Sequence, residues 1–440
     1  MERETGDGDS VGRRVSAIEA DARRAAERAA RRSYGRLIAV LAAKTADIAA
    51  AEDALSESFV KALATWPVTG VPQNPDAWLL TVARNQLIDG ARRAGGRERL
   101  ALHLLDRVVP DEATDMSGET IQIPDERLQI LLMCAHPEIA PADRTALMLQ
   151  SVLGLSAKQI AGLFLVPPAA LSQRLVRAKA RIREMGIRLA APAAAELPDR
   201  AMSVLDAVYA AFTAAHDGEM SGGVAGDIDE DTVAPADELI ALVRLLAEDQ
   251  RLPRRCEAEA LGLLALMLFC GARRGAWGDV YTPLDEQDVT RWSRRMIEDA
   301  SMHLTRASEI VAGDAGGIGR YQLEGAIQSA HSVRVDGRAV EWAVVVQLYD
   351  GLLAIAPSIG AMVGRAVALG KLAGPAEALR ALGGIDHPGL VSYQPFHAAM
   401  AHHLMLDGQK TGAREAYVMA IGLTQDARAR RFLQEQLASL

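Results

Sequence analysis

Residues 155–179 read LSAKQIAGLFLVPPAALSQRLVRAK, a stretch that predicts two short helices around a tight turn. Ser156 is placed to cap a first helix containing Ile160, Ala161 and Leu163, because a serine hydroxyl accepts from the free N–H groups of a helix start. A turn follows at Leu165–Val166, and Pro168 suits the first turn of a second helix, where its missing N–H loses nothing. In that helix Leu171, Leu175 and Ala178 share a buried face, leaving Ser172, Gln173, Arg174, Arg177, Lys179 and Arg181 outward. The pattern is a helix-turn-helix whose second helix suits a DNA major groove. From Ser156 to Ala190 there are seven Lys/Arg and one acid, a density fitted to phosphate contacts. Gln173 and the nearer arginines are the candidates for base edges.

Working toward the N-terminus, Val15 to Ala43 reads as an Arg/Ala-rich amphipathic helix. A second helix is expected over Ile48 to Leu63, with Ala51, Leu55 and Phe59 on one face and Glu52, Asp53 and Glu57 on the other. The prolines and glycine between Trp66 and Pro75 are expected to break it. Helix restarts near Asp76 and runs through Trp78, Leu79, Val82 and Ile88. Along it Arg84, Asn85, Asp89, Arg92 and Arg93 recur at three- and four-residue spacings, as one polar stripe. Trp78 is read as core rather than as a base-stacking platform. Pro110 to Pro124 is polar, carries Asp111, Glu112, Asp115 and Glu119, and reads as an acidic linker.

Beyond Pro198 helical patterns follow one another to the C-terminus. The stretches around Gly374 and Gly408 align 34 residues apart, the period of a tetratricopeptide-like array. Composition agrees with an all-α protein: half of the 440 residues are apolar, only 4% are aromatic, and alanine and leucine dominate. The net charge of −9 is unevenly divided. Residues 1–190 hold 26 Lys/Arg against 24 Asp/Glu, whereas 191–440 hold 22 against 33, so a nucleic-acid-facing front precedes an acidic remainder with another role. The longest nearly uncharged apolar run, Ala260 to Ala272, is too short to span a bilayer and reads as a buried helix. The polar N-terminus and three scattered cysteines (Cys134, Cys256, Cys270) fit neither a signal peptide nor a disulfide framework, so a cytoplasmic location with no membrane contact is expected.

Several stretches resemble a known family. Glu52 to Phe59, with Trp78, Ala83-Arg84-Asn85, Asp89 and Arg92-Arg93, resembles region 2 of extracytoplasmic-function sigma factors, and Asp125 to Ile187 resembles their region 4. Gly70 to Leu79, Cys134-Ala-His-Pro137 and Phe164 to Lys179 resemble the subgroup that carries a long tetratricopeptide-like C-terminal extension. Leu284 to Asp288, Trp292, Tyr321-Gln-Leu323 and Leu348-Tyr-Asp350 fit that extension.

The resemblance implies a promoter-specificity subunit with an N-terminal helical extension (1–29), region 2 (30–100), an acidic linker (101–124), region 4 (125–190) and a tetratricopeptide-like extension (191–440). By that resemblance Glu52, Asp53, Glu57 and Phe59 would dock on the β′ subunit of core RNA polymerase, whose β and β′ subunits are the expected partners. Arg84, Asn85, Asp89, Arg92 and Arg93 would hold the melted −10 element of promoter DNA. Ser172, Gln173, Arg174, Arg177 and Lys179 would read the −35 element, and the linker would thread toward the RNA channel. Asp76 departs from the glycine common in the subgroup, and Gly364 from asparagine. The extension is expected to regulate, through a protein partner or by contacting the sigma domains.

A rival reading is an operator-binding regulator whose helix-turn-helix works without polymerase and whose extension is a sensing or protein-interaction scaffold. Catalysis is not expected, since no fixed nucleophile–base pair or paired buried carboxylates are on offer; an enzyme would need an open pocket around Trp292, Tyr321 and His331. No cofactor or metal is expected. Asp227 to Glu238 matches only part of a calcium loop, Gly316 to Gly319 lacks the context of a phosphate cradle, and His397, His402 and His403 are read as capping or surface residues.

Overall fold

The computed structural model describes residues 7–45, 47–94, 124–164, 166–185, 193, 195–221, 236–278, 281–313, 317–424 and 426–440. The acidic linker and the calcium-like Asp227–Asp231 segment lie outside the described residues. Those described are helical with no strand, and none of their helices is long and apolar enough to cross a membrane. They form two compact units: Met1–Ala215 with Asp231–Leu242, and His216–Glu230 with Val243–Leu440.

The first unit opens with α1 (Asp7–Thr45), longer than the periodicity alone marked, then α2 (Ile48–Thr69) and α3 (Pro75–Ala94). Leu37, Ile38 and Leu41 of α1 are buried, as are Leu55 and Trp66 of α2 and Leu79 and Ala83 of α3; the three helices pack on one another. The break expected between Trp66 and Pro75 occurs, at Gly70–Asn74 rather than at the first proline. Pro67 sits inside the last turn of α2, where it loses a single ladder bond, and the helix ends at Gly70, whose φ of +87° any side chain would resist. Buried Trp66 meets half-buried Trp78 edge to face, 5.5 Å between ring centres, which joins the two ends of this loop.

Four helices follow: α4 (Pro124–Cys134), α5 (Pro141–Ser151), α6 (Ala157–Leu163) and α7 (Pro168–Met185). Ser156 caps α6 in a reciprocal box with Gln159, its backbone N–H donating to Gln159 Oε1 at 2.8 Å. Leu171, Leu175, Ala178 and Ile182 of α7 are buried, as the spacing requires, so the helix-turn-helix is present. Two further helices, α8 (Leu197–Ser221) and α9 (Ala236–Ala247), supply Arg200, which donates to Leu132 O at 3.1 Å, and Glu238, paired with Arg127 at 3.3 Å. The start of the extension is therefore tied to α4 within this unit.

The second unit is organised on α10 (Arg254–Ala272), buried on nearly every face, as its apolar run implies. Against it pack α11 (Arg294–Ala312) and α12 (Arg320–Ser332). Glu259 of α10 is buried and accepts from the backbone N–H of Tyr321 and from Gln322 Nε2, both at 3.1 Å, so a neighbouring helix caps α12. Gly262 makes this approach possible: a Cβ there would stand 2.6 Å from the Gln322 nitrogen. Gly262→Ala is expected to destabilise the extension by about 1–3 kcal/mol, the usual range for overpacking, read as a lowered urea midpoint.

Arg334 donates to the carbonyls of Leu284 (2.7 Å), Asp285 (2.9 Å) and Gln287 (3.3 Å) and lies over the Trp292 ring, holding the Leu284–Asp288 turn. Trp292, Tyr321 and His331 are buried. Helices α13 (Trp342–Ile355), α14 (Ile359–Ala373), α15 (Pro375–Gly383), α16 (Gln394–Leu406), α17 (Lys410–Leu423) and α18 (Ala427–Ala438) complete the chain. Gly374 (φ +96°) joins α14 to α15 and Gly408 (φ +78°) joins α16 to α17, which explains their 34-residue spacing as two equivalent turns. His403, expected at the surface or in a cap, is instead 2% exposed, wedged against Gly370 and Ala378, because Gly370 leaves room for a ring there.

Candidate polymerase and promoter interfaces

The acidic helix α2 divides its four candidate residues between two faces. Asp53, Ser56, Glu57 and Val60 follow one another at three- and four-residue steps and are exposed; Leu63 continues the stripe. Val60 is 66% exposed and Leu63 47%, so two large apolar side chains stand in water beside two carboxylates. Such a mixed face is what a basic, partly apolar protein surface would cover. Gln86 of α3 steadies it, donating to Ala54 O (2.9 Å) and Glu57 Oε2 (3.0 Å) and accepting from Lys61 Nζ (3.0 Å).

Glu52 and Phe59 are turned away from that stripe. Phe59 is half-buried. Glu52 accepts from Ser151 Oγ at 2.9 Å and pairs with Lys179 Nζ at 2.5 Å. Tyr34 of α1 lies in the same neighbourhood; burial, and then the Glu52 charge, pushes its phenol up to about 12.

On α3, Asn85 and Asp89 are exposed one turn apart and Arg84 is half-buried. Arg92 and Arg93 continue the helix by one further turn; their side chains lie outside the described set. Asp76, which stands where the resembled subgroup commonly has glycine, joins two helices. From the first turn of α3 it accepts from Ser33 Oγ and Arg36 Nη2 of α1, both at 2.5 Å. The carboxylate at a helix N-terminus is favoured by the dipole and fixes α3 to α1.

On α7 the exposed face holds Ala169, Ala170, Ser172, Gln173, Val176 and Arg177. Val176, 67% exposed, is an apolar side chain in the middle of a polar face, a surface for a thymine methyl. Ser172 Oγ is bound back to Pro168 O at 3.0 Å. Not all the outward candidates are free. Arg174 pairs with Asp143 of α5 at 2.8 Å, Arg181 with Glu138 at 3.5 Å, and Lys179 with Glu52. Arg174 and Lys179 each flank the buried face, one residue from Leu175 or Ala178, which brings their long stems within reach of neighbouring elements. The residues that sequence reasoning missed are these partners, Asp143 and Ser151, with Arg36 and Ser33 beside Asp76. None of these contacts carried a local signal, because each joins residues far apart in the sequence.

The comparisons with known proteins agree with this layout. The family model for Sigma-70 region 2 matches residues 29–97, that for Sigma-70, region 4 matches 129–182, and a family of unknown function, DUF6596, matches 200–308. An uncharacterized protein of Rhizobium meliloti (strain 1021) is 32% identical over 397 residues, covering 89% of this chain and 90% of that one. A probable RNA polymerase sigma factor of Xanthomonas campestris pv. campestris, RfaY, is 29% identical over 161 residues, 34% of this chain and 40% of its own. No solved structure matches. With both sigma regions matched in order over α1–α3 and α4–α7, the chain belongs to the sigma-70 family of RNA polymerase sigma factors, extended by a long helical C-terminal region.

Proposed function

We propose that this chain is a sigma factor of the extracytoplasmic-function type that recruits core RNA polymerase to promoters through two separate surfaces. The exposed stripe of Asp53, Glu57, Val60 and Leu63 docks on β′. Asn85 and Asp89, with Arg84, Arg92 and Arg93, hold the melted −10 strand. Gln173, Val176 and Arg177 read the −35 duplex, with Ser172 beside them and Arg174 and Lys179 as flanking contacts. The tetratricopeptide-like extension regulates these steps. The observation that carries the reading is the capped helix-turn-helix, whose exposed face is polar and basic, in one unit with an acidic-apolar helix of a kind that DNA does not attract.

The test is transcription in vitro with core polymerase over genomic fragments. Full-length protein is expected to give specific transcripts. Arg177→Ala is expected to lower them about ten- to hundredfold, the loss of one base-reading contact. Specific duplex binding without any transcript would replace this reading with an operator-binding regulator.

A further inference from the structure

We infer that one face of the extension is a peptide-binding face filled by a strap from its own chain. The partner this face fits is an extended acidic segment of another protein, which docks by displacing the strap. The strap is the loop between α10 and α11. Its ends meet, since Ser293 N–H donates to Ala272 O at 2.8 Å. Among its described residues there are only single helical turns, such as Leu284–Glu286 and Val289–Arg291, joined by extended residues such as Pro283, Gln287 and Asp288. A loop of this length without regular structure, inside a compact fold, usually covers or forms a binding face.

The face itself is a row of alternate helices. Leu323 and Ile327 of α12 cluster with Ala361 of α14, α14 packs on α16, and Ala401 of α16 clusters with Leu433 of α18. The strap meets each member of this row. At α18, Arg428 donates to Gly278 O at 2.7 Å, and the Tyr281 and Phe432 rings stand 5.3 Å apart. At α16, His402 faces the charges of Glu286 and Asp285, and at α14, Lys371 pairs with Asp285 at 2.6 Å. Just past α12, Arg334 donates to the carbonyls of Leu284, Asp285 and Gln287. These contacts are of two kinds. Arg334 and Arg428 hold main-chain carbonyls, which any extended peptide offers, whereas Lys371 holds a carboxylate and so selects an acidic one. Stacked helical repeats present extended surfaces of this sort to partners, and here the chain presents its own segment first. The Lys371–Asp285 pair leaves each side chain 37% exposed, within reach of water and of a competing carboxylate. A segment held in cis competes at an effective concentration of about millimolar, so the strap keeps weak acidic peptides off and yields to a tighter one. All of these residues belong to the extension, so docking here is read without polymerase or promoter.

The test uses the full-length chain, with a fluorescein-labelled peptide of residues 278–288 as the probe and fluorescence anisotropy as the readout. Wild type, with its strap in place, is expected to bind this peptide weakly. A chain in which residues 278–288 are replaced by a flexible Gly/Ser run of equal length is expected to bind it about tenfold tighter or more, with helix content by circular dichroism unchanged. Lys371→Glu in the otherwise native chain is a second, single substitution at a half-exposed position, and it decides the matter even if the loop replacement loses helix. It is expected to bind a peptide carrying Asp285→Lys about tenfold tighter than the native peptide, whereas wild type is expected to prefer the native one. The ratio between the two peptides is independent of the strap, because the strap competes equally with both. Equal affinity of the native peptide for wild type and for the replaced chain would overturn the strap. A Lys371→Glu chain that does not distinguish the two peptides would overturn the acidic partner. Transcription with core polymerase is a separate readout, and its failure would overturn the sigma reading while these affinities stood.

Discussion

With Asp53→Arg and Glu57→Arg in one chain, specific transcripts from core RNA polymerase are expected to fall at least a hundredfold at fixed protein concentration. The two reversals change the charge of the exposed α2 stripe by four, and a like-charged juxtaposition at an interface costs several kcal/mol. The fold tolerates the change. Asp53 and Glu57 are exposed, and among the described residues the change removes the bond from Gln86 to Glu57 while Gln86 keeps Ala54 O. The recognition helix is untouched, so binding of the variant to a −35 duplex is expected to match wild type. Fluorescence anisotropy with labelled core polymerase reads the docking step directly. Undiminished transcription from this variant would move the docking surface off α2.

The local parts of this architecture were legible because their causes are local. Ser156 and Gln159 sit three residues apart and cap each other; Leu171, Leu175 and Ala178 mark the buried side of α7; Gly374 and Gly408 repeat because each closes a helical hairpin. Pro67 shows the limit of a local rule. A proline usually ends a helix, but in the last turn it forfeits one bond, and burial of Trp66 against Trp78 holds the turn in place. The candidate site was legible by residue type and not by partner. Asp53, Glu57, Gln173 and Arg177 reach the surface that their spacing implies, whereas Glu52 and Lys179, 127 residues apart, meet each other. No periodicity contains that contact, because it depends on how region 4 lies on α1, which in turn depends on a glycine at position 35.

The extension's stability should depend steeply on mild acid. Its three strongly perturbed histidines, His216, His331 and His403, each have a pKa lowered from 6.5 to about 4, first by burial. Arg273 and Arg274 add to it at His216, Arg273 and Arg334 at His331 against the opposing Asp285, and the neighbouring His402 and Lys371 at His403. His403 is the plainest case: neither ring nitrogen has a hydrogen-bond partner, so an added proton would be buried without an acceptor. The sign follows from linkage. Above pH 6.5 both folded and unfolded states hold neutral rings and nothing is lost. Between 6.5 and about 4 only the unfolded chain takes up the proton, so folding stability falls by about 1.4 kcal/mol per pH unit for each ring. At pH 5 the three together approach about 6 kcal/mol, a large part of the 5–15 kcal/mol typical of a domain. Urea unfolding of the full chain, followed by tryptophan fluorescence at pH 7 and pH 5, should show a transition that moves to much lower urea at pH 5. His403→Leu should remove about a third of that slope while lowering stability at pH 7 little, since it trades an unpartnered ring for an apolar side chain. A midpoint unchanged between the two pH values would mean that the rings take up protons as readily in the folded as in the unfolded chain, and that Gly370 opens a wet cleft where the packing places a dry one.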